Sequence, residues 1–429
     1  VKDEELLEMA GLCAKCGTCR TVCSLYPYRK TENAVARGKV RILESALAGE
    51  NLDLPAVREA MADCLLCGRC ERECPNQVLY EEIVMRARAK LADEVGIPAW
   101  KSILFGNVMP SDAAMRAIRR AGAAAQRIFL KKIPTDSGLH YRFPLKFFGD
   151  GRMFPELPSK GFIESLGKSE AVSGDVMLFV GCVFDHLFPE VGGAAYETVK
   201  ICGRPVSVFR GAACCGLPAL TSGDRKSAFV SMEANLRSMR VAAPETIVFP
   251  CGSCLLMFKR NIPELFKEGH PLYEDALFVA KRSIDYASFL LDSGVARKFP
   301  DPATVSFPGV IGYHDSCHLT GTLKRGDEPR KVLVRAAGSA FKEMEGADLC
   351  CGYGGAFNVR DYPTSARIGE NKVSVAAKGG TKIISAACSG CIFQMRDMAA
   401  RTNPSMRIVH VAELARHALF GGKEQGGRR

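Results

Sequence analysis

The stretch "GADLCCGYGG", residues 346–355, sets two cysteines side by side and follows them at once with glycine. A second copy, "GAACCGLPAL", occupies 211–220. Neighbouring cysteines form only strained disulfides, because their Cβ atoms diverge along the chain. Each pair also belongs to a longer pattern. Cys182 aligns with Cys317 at an offset of 135, and Cys214 and Cys215 align with Cys350 and Cys351 at 136. Cys251 and Cys254 align with Cys388 and Cys391 at 137. Five cysteines that repeat with two single-residue slips imply duplication of one domain.

The sequence around these cysteines predicts where they sit. "VMLFV" precedes Cys182, "PVSVF" precedes the first pair, "TIVFP" runs up to Cys251 and "TKIISAA" runs up to Cys388. Short runs rich in Val and Ile predict buried, parallel strands. Helical segments follow, "LLMFKRNI" after Cys254 and "IFQMRDMAA" after Cys391. The cysteines therefore fall at the C-terminal ends of strands in an α/β fold, where open sheets gather ligands. Two thiolates from adjacent residues, one from a strand end and two from a C-x2-C turn can surround one compact metal centre. Five sulfurs exceed the need of a tetrahedral metal and suit a multi-iron cluster. Gly216 and Gly352 let the chain turn away without a Cβ clash.

The N-terminal cysteines follow a different rule. "CAKCGTCRTVC" places Cys13, Cys16, Cys19 and Cys23 at C-x2-C-x2-C-x3-C, and "CLLCGRCERECP" repeats the spacing with Cys64, Cys67, Cys70 and Cys74. This is the two-cluster bacterial ferredoxin run, whose fourth cysteine ligates the other cluster. The expected sets are Cys13, Cys16, Cys19 and Cys74 for one cubane, and Cys64, Cys67, Cys70 and Cys23 for the other. Zinc sites show separated pairs instead. Ser24 stands where the run normally has proline, and serine permits the same turn. Between the runs, Val40, Leu43 and Leu47 recur at helical spacing and Gly49 can end that helix.

Composition narrows the function classes. A chain of 429 residues holds two or three domains with real cores and does not need disulfide staples, so its nineteen cysteines read as reduced and metal-binding. Residues 1–9 show no apolar signal region, and no apolar run reaches the length of a membrane-spanning helix. The expectation is a cytoplasmic protein, with peripheral attachment to the inner face of the membrane as a further option. The net charge of +11 suits docking to a protein or membrane surface; nothing else in the sequence supports a nucleic-acid partner. "MRAIRRAGAAAQRIFLKK", 115–132, holds six cations and no acid, which predicts a surface helix with a basic face, solvated or docked on an acidic partner or an anionic membrane. Residues 133–172, rich in Pro, Gly and Lys, read as a linker wrapped over the surface.

These residues carry a resemblance. The C…CCG…CxxC repeat resembles the CCG domain of heterodisulfide reductases and of iron–sulfur subunits of flavin-dependent hydroxyacid dehydrogenases. The order of ferredoxin run, connector and two CCG repeats resembles the iron–sulfur subunits of glycolate oxidase and related lactate dehydrogenases over nearly the whole length. "RGKVRILESALAGE", 37–50, and "YHDSCHLTG", 313–321, are similar to stretches of that group and of the wider superfamily. The fold class expected is α+β multi-domain: a helical ferredoxin domain with two 4Fe-4S clusters (1–90), a basic connector (91–172), two duplicated α/β CCG domains (173–300 and 301–420), and a disordered tail (421–429). The resemblance implies one or two noncubane [4Fe–4S] centres on the CCG cysteines.

The expected function is electron transfer from the FAD-containing subunit of a glycolate or lactate dehydrogenase to a quinone or membrane redox complex. The chain itself shows no flavin or nicotinamide motif after a strand. Two alternatives stay open: a heterodisulfide reductase-type subunit that reduces a disulfide at a CCG centre, and the membrane-docking subunit of an anaerobic glycerol-3-phosphate dehydrogenase. Candidate proton donors are His318, His314 and Asp315 around Cys317; Asp185 and His186 follow Cys182. A structural histidine bonding the cluster shell is the competing reading. Cys202 lies outside every set and reads as a buried structural thiol.

Overall fold

The Val- and Ile-rich runs become short strands buried on both faces, and each is parallel to its neighbours. The computed structural model describes residues 3–142, 151–167, 174–211 and 214–421. Three strands of the connector come first: β1 (Lys131–Thr135), β2 (Gly138–Arg142) and β3 (Met153–Pro155). The first repeat follows with β4 (Val176–Leu178), β5 (Val206–Val208), β6 (Thr246–Phe249) and β7 (Ser283–Asp285), in the order β5-β4-β6-β7. The second has β8 (Ile311–Tyr313), β9 (Ile383–Ala386) and β10 (Arg407–His410), in the order β8-β9-β10. A parallel bridge from Ile311 to Phe341 stands in the place of β5. The strand order of the two repeats is therefore the same, as duplication requires.

The two repeats do not bury separate cores. One apolar cluster runs from Val176, Phe179 and Phe249 through Leu319 to Ile384, Ile392 and Ile408. Parallel strands buried on both faces need helices over each side. Helices such as Ser389–Thr402 provide that cover, and their inner sides include Ile392, Met395 and Ala399.

The N-terminal half is built of helices. Four of them are α1 (Ala36–Leu47), α2 (Tyr80–Val95), α3 (Ala99–Ile103) and α4 (Asp112–Phe129); the helix Ser389–Thr402 of the second repeat is α5. α1 buries Val40 and Leu43, and Gly49 just beyond it takes a left-handed φ of 79°.

Two expectations about the connector are corrected. Residues 133–172 are not a bare linker: β1, β2 and β3 form an antiparallel sheet, and β3 docks on the second repeat, where the Met153 N–H donates to Asp397 Oδ1 at 2.9 Å. Nor is the 115–132 segment one helix with a single solvated basic face. α4 ends at Phe129, and Lys131 and Lys132 already belong to β1. Arg119 is buried, donating to the Pro158 carbonyl at 3.0 Å and pairing with Glu164. Arg116 and Arg120 pair with Asp112 and Glu164. A sequence count of cations does not reveal that the acids which pair them come from the preceding turn and from a segment some forty residues later. The tail expected to be disordered lies, after Gly421, outside the described residues.

Candidate metal centres

Each N-terminal loop is shaped by a left-handed pair of residues. In the first loop Lys15 (φ 57°) precedes Cys16 and Gly17 (φ 91°) follows it; in the second, Leu66 (φ 50°) and Gly68 (φ 65°) flank Cys67. A non-glycine residue in this region costs roughly 1–2 kcal/mol, so the matching strain marks a loop held for what its side chains do. The result is convergence. Cys13, Cys16, Cys19 and Cys74 line one small cavity of about 40 Å³. Cys23, Cys64, Cys67 and Cys70 line another of about 30 Å³, and Cys70 borders both. The Arg37 N–H donates to Cys19 Sγ, and the Leu66 N–H to Cys64 Sγ, both at 3.4 Å.

The vicinal pairs obey the same logic. Gly216 (φ 90°) and Gly352 (φ 86°) turn the chain so that their N–H groups donate back to Cys214 Sγ and Cys350 Sγ, both at 3.4 Å. A Cβ at Gly352 would lie 2.5 Å from the Ser365 carbonyl oxygen, so no larger residue fits there.

In the first set, Cys182 meets Cys214, Cys215 meets Cys254, and Cys254 meets Cys251. In the second, Cys317, Cys350, Cys351 and Cys391 surround a cavity of about 230 Å³, and Cys351 Sγ lies 3.4 Å from Cys391 Sγ. Cys388, outside the wall of that cavity, meets Cys391 and, across the seam between repeats, Cys251. Across the seam, Cys251 Sγ lies 3.1 Å from Ser389 Oγ, and Cys388 Sγ 3.1 Å from Ser253 Oγ. Cys350 in turn meets Cys67 of the N-terminal half. Thiols thus follow one another without a break from Cys182 to Cys67.

Burial and the neighbouring thiols polarise this line. Hydrogen bonds from Cys214 and Cys254 draw Cys215 down, those from Cys254 and Cys388 draw Cys251 down, and those from Cys350 and Cys391 draw Cys351 down. Burial pushes Cys70 and Cys317 up. Each set therefore favours at least one thiolate, the form that binds metal.

Buried cations complete the site, and the sequence reading missed them. Lys39 and Lys372 are buried, and neither has a carboxylate within ion-pair distance among the described residues. Lys39 is held by the Asn33 carbonyl, and Lys372 by the Gly346 and Ala347 carbonyls, the latter at 2.8 Å. Burial pulls Lys372 down to about 8, opposed by the Cys351 thiolate; Lys39 is also pulled down by burial, opposed by Cys64. Arg88 on α2 donates to the carbonyls of Cys64 (2.8 Å) and Thr221 (2.7 Å), tying the second loop to the first repeat. A buried charge without a partner costs several kcal/mol. These cations fit an anionic, thiolate-held group beside them, and all nineteen cysteines are free thiols. A sequence signal for Lys39 existed, since it sits beside Val40 on the buried side of α1.

The polar candidates separate clearly. Asp315 is not placed as a proton donor: its carboxylate is clamped by Arg330 at 2.7 and 2.9 Å. His318 Nδ1 lies 2.8 Å from Ser253 Oγ, and burial holds the ring down at about 4, so it is neutral. His314 is buried, has no hydrogen-bond partner on either ring nitrogen among the described residues, and presents a nitrogen within 4.8 Å of the Cys351 and Cys391 sulfurs. His186 makes no hydrogen bond either; its ring lies between Asp112 (3.6 Å) and Asp185 (3.5 Å). Cys202 is half-buried and accepts the Arg204 N–H at 3.4 Å, outside every set. Beside the first set, Asp112, Arg116, Phe179, Asp185, Phe209 and Arg210 line a cavity of about 180 Å³. A Cβ at Gly181 in its wall would lie 3.2 Å from Cys254 Sγ.

A dicluster loop pair joined to two five-thiol sets defines an iron–sulfur protein, and comparison with known proteins agrees. Residues 9–78 match the family described as 4Fe-4S dicluster domain, and residues 176–259 and 311–396 each match the one described as Cysteine-rich domain, the CCG domain. The chain is similar to a probable glycolate oxidase iron-sulfur subunit of Bacillus subtilis (strain 168), 25% identical over 94% of this chain and 92% of that one. It is also similar to lactate utilization protein A 2 of Bacillus cereus (strain Q1), 30% identical over 57% of this chain and 98% of that one. Lactate utilization protein A of Bacillus thuringiensis (strain Al Hakam) matches at 30% over 56% and 97%. The chain belongs to the CCG-domain family of iron–sulfur subunits of the glycolate oxidase and lactate utilization type. No helix among the described residues is long and apolar enough to cross a membrane.

Proposed function

We propose that the chain is the electron-carrying subunit of a complex in which a separate FAD-containing protein oxidises a 2-hydroxyacid such as glycolate or lactate. Thiolate-held [4Fe–4S] clusters supply one-electron redox chemistry. The ligands of two cubanes are Cys13, Cys16, Cys19 and Cys74, and Cys23, Cys64, Cys67 and Cys70. The five-cysteine sets hold one noncubane centre each.

The observation that carries this reading is the unbroken line of thiols from Cys67 through the second set to the first. It orders the sites: the dicluster half, then the second repeat, then the first. Lys39, Arg88 and Lys372 supply fixed positive charge along the line, and the shared apolar core excludes water from it. The cavity beside the first set lies on the face of its repeat that, in the second repeat, receives Cys67; residues 179–181 and 314–316 correspond at the 135-residue offset. The far end of the line therefore has an opening where a quinone or a membrane redox complex can take electrons.

A second reading, disulfide reduction at the second set, has the unpartnered His314 and the 230 Å³ cavity in its favour. The deciding experiment is anaerobic purification from the native host. The leading reading expects a flavoprotein to copurify and hydroxyacid to bleach the iron–sulfur absorbance only when it is present. Disulfide-dependent reoxidation of the chain without a flavoprotein would favour the second.

A further inference from the structure

α4 has its amphipathicity inside out. At 100° per residue, Arg119 and Gln126 lie on one side of the helix, and both are buried. Gln126 exchanges hydrogen bonds with the Leu157 backbone at 2.8 Å in both directions, and Arg119 is bound by Glu164 and the Pro158 carbonyl. The opposite side, which points to solvent, carries Ala113, Ala117, Ala121, Ala124 and Ile128. Ile118 and Phe129 widen it; Ile118, Ile128 and Phe129 are 56%, 77% and 67% exposed. A soluble helix normally turns its apolar side inward. Here the polar side is satisfied by the protein and the apolar side has no cover among the described residues.

The surroundings say what covers it. Arg116, Arg120 and Arg127 line one flank of the apolar side, and Lys131 and Lys132 follow, exposed, in β1. Five of the fifteen large apolar side chains that the described residues leave exposed fall between Trp100 and Phe129, so apolar surface is concentrated in this stretch rather than scattered. A second copy of the chain would bring these cations against themselves. An apolar stripe with a cationic flank and exposed aromatic groups nearby matches the interface of an anionic bilayer, where apolar side chains enter the acyl boundary and Lys and Arg meet the headgroups.

We propose that α4 is the element by which this protein lies on an anionic lipid surface. The helix lies flat, with Ile118, Ile128 and Phe129 entering the bilayer and Arg120, Arg127, Lys131 and Lys132 at headgroup level. Asp112 and Arg116, near the start of α4 on the side that turns inward, line the cavity beside the first cysteine set. The proposal does not depend on which centres carry electrons.

The test is cosedimentation of the purified, cluster-loaded full chain with phosphatidylcholine vesicles, with and without phosphatidylglycerol. Binding that requires the anionic lipid is expected. Replacing Ile128→Glu and Phe129→Glu together removes the two most exposed apolar side chains of the stripe, whose burial in the acyl boundary drives partition, so partition should fall at least about tenfold. Arg127→Gln with Lys131→Gln and Lys132→Gln should lessen the dependence on phosphatidylglycerol and leave the melting temperature unchanged. Wild-type chain that ignores vesicles, or a folded Ile128→Glu, Phe129→Glu variant that binds them as well as wild type, overturns the proposal. So does that variant losing a copurifying protein while wild type shows no lipid binding, since the face would then belong to that protein.

Discussion

The Cys67 thiol, on a loop of the N-terminal half, meets the Cys350 thiol of the second repeat. The contact is sealed by packing: Leu25, Ala34, Leu65, Phe357 and Ile368 form one buried apolar patch around Cys23, Cys67 and Cys350. Ion pairs rim it, Arg69 with Asp348 at 3.2 Å and Arg360 with Glu59 and Asp63 at 2.9 and 2.8 Å. The second repeat, later in sequence, is therefore the one whose thiols meet those of the dicluster half.

That order predicts the phenotype of single cysteine losses. Cys351→Ser should leave the cubane sites reducible by the flavoprotein and block reduction of everything beyond, the first set included. Cys254→Ser should leave the second set reducible and stop only delivery to the acceptor. Freeze-quench spectroscopy of each variant during reduction distinguishes the two. Normal reduction of the first set in a Cys351→Ser protein that has lost its second centre would show that the thiol line is not the route.

Metal content follows from the ligand count. Two cubanes and two centres on the five-cysteine sets amount to about 16 iron with equal sulfide per chain. Anaerobic protein assayed for iron, sulfide and zinc checks this. A value of about 8 iron with intact five-cysteine sets would remove the noncubane centres and keep the cubanes, and zinc as the main metal would remove both.

Lys372 should set a potential rather than a fold. Lys372→Met removes a buried positive charge near the second set, which favours the oxidised, less negative state of that centre. The shift should be negative and on the order of 2 kcal/mol, or roughly 80 mV for one electron. Redox titration of the second centre measures it. An unchanged potential would mean that the charge is already compensated.

Asp397 should give the protein an acid-side gain in stability. Burial pushes its carboxyl up to about 6, and the Tyr362 hydroxyl and the Met153 N–H both donate to it. The unfolded group titrates near 4, so between about pH 4 and 6 the folded state binds more protons. Stability from this group therefore falls as pH rises through that window, by at most about 3 kcal/mol. Asp397→Asn should flatten the dependence. Urea midpoints at pH 5 and pH 7 for both proteins provide the check; equal slopes would refute the assignment.

Much of this was legible in the chain alone, because local geometry determined it. Two-residue gaps and a following glycine force thiols to converge whatever surrounds them, so the cysteine groups, the duplication and the strands that lead into each set follow from spacing and from Val- and Ile-rich runs. Gly216 and Gly352 could be read the same way, since a sharp turn straight after two adjacent cysteines leaves no room for a Cβ. Long-range packing decided the rest. Cys388 faces Cys251 across the seam, Lys39 and Lys372 find no carboxylate among the described residues, Arg330 clamps Asp315, and β3 docks on α5. Each depends on residues far apart in sequence, and no spacing rule encodes such a meeting. The basic segment shows the difference most plainly. Its cations were visible at once, but which side of α4 turned inward depended on Glu164, Leu157 and Pro158, which satisfy its polar side and leave the apolar one exposed.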